Sequence, residues 1–189
     1  MADEPNEQNE QDELDDLNDL NDLDEQDGAN GITLDQLSQM LKLGTTTLKA
    51  VRGLTDDEME SAYALAHDYY VTGRYDDAET LFRFLTTYDH LNGRYWMGMG
   101  AVHQVKRRYR EAIQAYALVI SIDDMRNVDA SFHAAECFLA LGDRVNAASA
   151  VAHVRQFADA KTEHGRTVLA RANRLSKMIE TAKEGPADA

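Results

Sequence analysis

The chain is predicted to be all-α, a solenoid of three helix-turn-helix repeats with an amino-terminal helix in front and a capping helix behind. Three observations carry that expectation. The only prolines among the 189 residues are Pro5 and Pro186, so no position between them lacks a backbone N–H or has its φ fixed against helix. A ten-residue pattern returns after 34 residues with its small and aromatic positions in register. Two helix-start signatures of one kind, at Thr33 and Thr55, stand ahead of it.

Residues 1–31 are rich in Asp, Asn and Glu, with Leu14, Leu17, Leu20 and Leu23 three apart. On a helix that spacing drifts by about 60° per step and makes no sustained seam. The segment is therefore expected to be a disordered, solvating acidic tail; a short motif that folds on a partner is the alternative. Residues 32–54 are expected to form a helical segment. Thr33 and Gln36 make a capping-box pair, Ile32 and Leu37 stand in staple positions, and Gly44 can close the helix in a left-handed conformation. A short turn through Leu48 and Val51 then ends at Gly53, after which Thr55 pairs with Glu58 between Leu54 and Met59.

Residues 55–161 hold the repeats. Aligning GRYDDAETLF (73–82) with RRYREAIQAY (107–116) superposes Tyr75 on Tyr109, Ala78 on Ala112 and Phe82 on Tyr116. That interval is the tetratricopeptide period. A third copy, GDRVNAASAV (142–151), puts Ala147 in the same column after one extra residue, and Ala66, Gly100 and Ala135 make a second small column in the first helices. Small residues let helices approach closely, while the aromatics fill the space between repeats. Arg107 departs from the pattern where a turn glycine is expected, and Arg144 departs at the aromatic position. Between 162 and 183, Val168, Leu169, Ala172, Leu175, Met178 and Ile179 trace one face of a capping helix, with residues 184–189 disordered beyond it.

Composition excludes several function classes. The net charge of −15 belongs to the tail: residues 1–27 carry 13 acidic and no basic side chains, leaving 21 acidic against 19 basic for the remainder. No stripe fit for a phosphate backbone results, apart from a mildly basic stretch between Arg144 and Lys183, so no nucleic acid partner is expected. No apolar run is long enough to span a bilayer, and none resembles a secretory signal. With a single cysteine, Cys137, the expectation is a soluble cytoplasmic protein without stable membrane insertion, which the resemblance given below makes bacterial. His133 and Cys137 stand four apart on one predicted helix, but two ligands are too few for zinc. Without a phosphate loop, a nucleophile elbow or a metalloprotease motif, no catalytic residue, metal or cofactor is expected.

Candidate binding residues lie on the inner face of the first helix of each repeat. Counting repeat positions from Met59, Gly93 and Val128 gives Tyr63, His67 and Tyr70, then Met97, Ala101, Gln104 and Val105, then Phe132, Glu136 and Leu139. Aromatics and Met supply adaptable apolar area, while His67, Gln104 and Glu136 can fix a peptide. The plainer alternative is that Tyr63 and Phe132 merely pack between helices. The terminal-carboxylate clamp of some repeat proteins is missing, because its positions hold Tyr63, His67, Gly98, Asp129 and His133.

From about Leu41 to Phe157 the chain resembles the class II chaperones of bacterial type III secretion systems, which hold hydrophobic translocator proteins before export. GRYDDAETLF (73–82), YDHLNGRYWMGMGA (88–101) and FHAAECFLALGD (132–143) carry the resemblance. It implies three tetratricopeptide repeats after an amino-terminal helix, with a groove taking an extended translocator segment. Matched by position, the implied groove residues are Tyr63, His67, Tyr70, Tyr75, Met97, Gln104 and Phe132, with His67 standing where several relatives have an aromatic. The resemblance also implies self-association, as a homodimer through residues 33–52. A regulatory adaptor binding a soluble signalling or transcription partner is the rival expectation.

Overall fold

The computed structural model describes residues 34–44 and 46–181, and it divides into two units, 1–46 and 47–189. The expected acidic tail, the Thr33 capping box and the terminal 184–189 segment lie outside the described residues. In the first unit, α1 (Leu34–Lys42) is followed by Gly44 at φ 65°, the left-handed conformation anticipated for its end.

Every regular element among the second unit's described residues is a helix. After α2 (Leu48–Arg52) come three helix pairs, α3 (Asp56–Val71) with α4 (Tyr75–Tyr88), α5 (Gly93–Val105) with α6 (Tyr109–Ile122), and α7 (Val128–Ala140) with α8 (Arg144–Phe157); α9 (Glu163–Thr181) closes the series. From α3 onward each helix packs on the next, while α2 lies against α4, α3 also meets α5, and α7 also meets the cap α9. The fold is thus the expected three-repeat solenoid with a cap.

Local chemistry explains the boundaries. Thr55 and Glu58 form the reciprocal capping box, with the Glu58 backbone N–H donating to Thr55 Oγ1 at 3.2 Å and the Thr55 N–H donating to Glu58 Oε2 at 2.8 Å. The turns inside the repeats share one geometry. The backbone N–H groups of Gly73 and Arg74, of Arg107 and Arg108, and of Gly142 and Asp143 return to carbonyls three and five residues earlier, at 2.8–3.2 Å. This Schellman-type closure needs a left-handed residue, and Gly73, Arg107 and Gly142 supply it at φ 81°, 58° and 76°. Between repeats, Asn92 and Asn127 cap α5 and α7 through their side-chain oxygens, and Thr162 accepts from the Gly165 N–H at the start of α9. These caps stand at a regular interval in the sequence that the repeat alignment did not bring out.

The small columns are where the helices touch. Ala66, Ala78, Ala112, Ala135 and Ala147 have no exposed surface. At Gly100 an added Cβ would come within 2.6 Å of the Tyr116 ring. Around them sit an amino-terminal cluster centred on Met59, Phe82 and Leu85, a central one on Tyr116 and Val119, and a third joining Phe132, Val151 and Val154 to Val168 and Ala172 of the cap.

Candidate functional site

The inner surface of α3 and α5 forms an open pocket of about 310 Å³. Five of the expected residues line it: Tyr63, His67 and Tyr70 from α3, and Met97 and Ala101 from α5. Helical spacing places each set on one face, since residues three and four apart are neighbours on a helix surface. Tyr63 is half-buried, its ring edge-on to Phe82 at 6.1 Å and 5.8 Å from Tyr95, so it serves the core and the pocket together. Tyr70 meets Tyr75 edge-to-face at 5.8 Å, which brings Tyr75 to the pocket margin from the start of α4. His67 is exposed and tilts against Tyr63 at 6.4 Å.

Sequence reasoning missed several members of the pocket. Phe82 contributes to its lining, and it can sit there only because residue 98 is glycine: an added Cβ would stand 2.1 Å from the Phe82 ring. Arg94 lies over the Tyr63 ring at 4.3 Å while both its terminal nitrogens hold Glu60, at 3.0 and 3.2 Å. Those two residues are separated by one repeat interval, which is the signal that could have found them. Asp123 and Asn127 complete the lining; Asn127 Nδ2 donates to Asp123 Oδ2 at 2.7 Å. An added Cβ at Gly93 would lie 3.2 Å from Asp123 Oδ1, so this carboxylate stands at the amino end of α5, where the helix dipole favours negative charge.

Further along the inner face the site turns polar. Tyr116 Oη donates to Gln104 Oε1 at 2.8 Å, and Gln104 Nε2 donates to Glu136 Oε2 at 3.1 Å. His133 Nδ1 donates to the same Glu136 oxygen at 2.9 Å. Burial opposes ionisation of Glu136, but the bonds from His133 and Gln104, with Arg171 nearby, hold its pKa below the usual carboxylate range. His133 thus engages a carboxylate, while Cys137 is buried in the core, where burial pushes its thiol up to about 12. Among the described residues no group of three or more His, Cys, Asp and Glu is placed to hold a metal ion.

The remaining expected residues are placed unequally. Val105 is 40% exposed at the end of α5, and Leu139 is half-buried against the third core cluster. Phe132 is 4% exposed, packed in the third core cluster with Arg171 of the cap over its ring at 4.1 Å. That placement is the plainer alternative for Phe132, a side chain packed between helices. Its sequence position could not disclose the cover, since Arg171 lies outside the repeat register.

Residues 59–92 match the tetratricopeptide-repeat family. Low calcium response locus protein H of Yersinia pestis is 32% identical over 140 residues, covering 74% of this chain and 80% of that protein. PcrH of Pseudomonas aeruginosa, solved with the chaperone-binding region of PopD, is 35% identical, with a TM-score of 0.65 over 70% of this chain and 98% of that one. The Yersinia enterocolitica type III secretion chaperone SycD, solved with a peptide of the translocator YopD, is 30% identical, with a TM-score of 0.65 over 69% of this chain and 98% of that one. Repeat architecture, inner-face pocket and sequence identity agree, and the chain belongs to the tetratricopeptide-repeat family of type III secretion translocator chaperones.

Proposed function

We propose that this chaperone acts in the bacterial cytoplasm, without catalysis or a cofactor, by holding an extended apolar segment of a translocator protein along the inner face of its repeats. The observation that carries the reading is the convergence of Tyr63, His67, Tyr70, Met97 and Ala101 from two helices on one pocket. Aromatic rings and a thioether give a wide apolar contact that adapts to more than one side chain. PopD and YopD segments seated on relatives of the same fold support the assignment of a translocator as client. Covering such a segment removes apolar surface that otherwise drives aggregation or membrane insertion. Tyr75, Gln104, Val105, Glu136 and Leu139 extend the contact surface on either side. Residues 33–52 are assigned to self-association, and the described helices include none long and apolar enough to cross a membrane.

Co-expression with the hydrophobic translocators of the same secretion system tests the reading. The expected result is a soluble, monodisperse complex with the unmodified chain, and a translocator returned to the pellet when Tyr70 and His67 are both replaced by alanine. His67 is exposed and Tyr70 is half-buried at the edge of the amino-terminal cluster, so a circular-dichroism check that the variant keeps its helices separates lost client binding from lost fold. A translocator that stays insoluble beside the unmodified chain, while the chain captures an already folded soluble protein, would replace this reading with the adaptor role.

A further inference from the structure

A groove walled by helices has a deficit that follows from helix geometry. Helical N–H and C=O groups are consumed inside each helix, so the wall offers none to a visitor. An extended client brings one donor and one acceptor per residue, and each one buried unpaired costs affinity. Side chains must supply the partners. At the α3–α5 end the lining is mostly aromatic, thioether and small side chains, whereas at the α7–α9 end a donor and an acceptor stand side by side.

The acceptor is Glu136. Its Oε2 is occupied by Gln104 and His133, and its Oε1 lies 3.9 Å from Arg171 Nη2. That separation is too long for a hydrogen bond, so the two groups attract without satisfying one another. The donor, Arg171, is laid over the Phe132 ring at 4.1 Å with 37% of its side chain exposed. Stacking fixes the guanidinium plane and leaves its N–H edge to donate. Phe132, which the sequence suggested as a client contact, is the platform beneath this donor.

We infer that Glu136 and Arg171 form a main-chain clamp for the client, Arg171 donating to a backbone carbonyl and Glu136 accepting from a backbone N–H. The inference rests on the groove reading above and adds to it a subsite shared by the third repeat, through Glu136, and the capping helix, through Arg171. It also states the chemistry of the occupant. A peptide group presents an acceptor and a donor together, matching the pair, whereas an acidic client side chain would meet the Glu136 charge beside Arg171. The clamp is indifferent to client sequence, so side-chain choice is left to the α3–α5 pocket.

The test uses a synthetic peptide of the PopD chaperone-binding region and a series in which single backbone amides are replaced by esters, which removes one N–H and weakens one carbonyl acceptor. Binding to the full chain is measured by calorimetry, in parallel with the Arg171→Met variant. Methionine keeps an apolar cover on Phe132 without a donor, and an unchanged melting midpoint confirms that the cap is intact. One ester position should weaken binding to the unmodified chain about tenfold and by clearly less, about threefold, in Arg171→Met, where only the N–H to Glu136 is left to lose and which itself binds the all-amide peptide several-fold more weakly. An ester series without effect, or equal losses in both proteins, overturns the clamp. So does a peptide whose affinity depends on its acidic side chains through Arg171. Failure of the unmodified chain to bind the all-amide peptide, with Tyr70→Ala equally inert, removes the groove reading, and the clamp with it.

Discussion

Arg107 holds φ 58° where the equivalent turns use Gly73 and Gly142. A side chain in this region crowds its own backbone by roughly 1 kcal/mol. Arg107 is exposed at the tip of the turn between α5 and α6, so Arg107→Gly should raise stability by up to about 1 kcal/mol, a rise of about 2–4 °C in melting midpoint for a chain of this size. Differential scanning calorimetry checks this, and an unchanged or lowered midpoint would mean that glycine's gain in unfolded-state entropy offsets the relief. The departure of residue 107 from the repeat pattern was visible in the sequence; that the backbone keeps the glycine conformation regardless was not. Two further left-handed residues, Asp124 and Met125, stand where the chain leaves α6, with the Met125 N–H returning to the Ile120 carbonyl at 2.8 Å, and no glycine marked that closure in the sequence.

Between helices, Glu79 shows how a repeat is tied to the next by charge. It is 7% exposed on α4, accepts from Lys106 Nζ at 2.7 Å and Arg83 Nη2 at 3.1 Å, and is also bonded by Arg108. The Arg108 bond, joined by Lys106 and working against burial, lowers its pKa to about 2. A carboxylate with a depressed folded-state pKa stabilises the fold at pH values above its unfolded value of about 4.5, and that contribution fades as pH falls toward about 2. Glu79→Gln should therefore cost about 2 kcal/mol near neutral pH, discounted from the full shift because its basic partners are partly exposed. The gap to the parent should stay level down to about pH 5 and narrow below it, as followed by urea unfolding across that range. A gap independent of pH would mean that Glu79 acts by packing. Sequence alignment set Glu79 in a helix but not in this cluster, since Lys106 and Arg108 come from the turn of the following repeat.

In a solenoid each repeat rests only on its neighbours, so local stability follows position along the chain. The repeats were legible because one interval recurs in helix-contacting residues, and the pocket was legible to the same degree: Tyr63, His67, Tyr70, Met97 and Ala101 all follow from counting along first helices. What escaped are contacts made across the register, such as Phe82 under the glycine at 98 and Arg171 over Phe132. The cap illustrates the consequence. Val168, Ala172, Leu175 and Ile179 of α9 close the cluster that holds Phe132, Val151 and Val154 in the third repeat, while the cluster around Met59, Phe82 and Leu85 contains no residue of α9. Removing residues 163–189 should therefore expose the third repeat's core and leave the first repeat's contacts in place. Loss of four buried apolar partners amounts to several kcal/mol at about 1.5–3 kcal/mol for each large aliphatic side chain, enough to open one repeat but not to reach the far end directly. In native-state hydrogen exchange the truncated chain should lose protection across 128–157 and keep most of it across 59–88. Equal loss along the whole repeat array would show that the solenoid folds as a single cooperative unit, with the cap supporting every repeat instead of its neighbour alone.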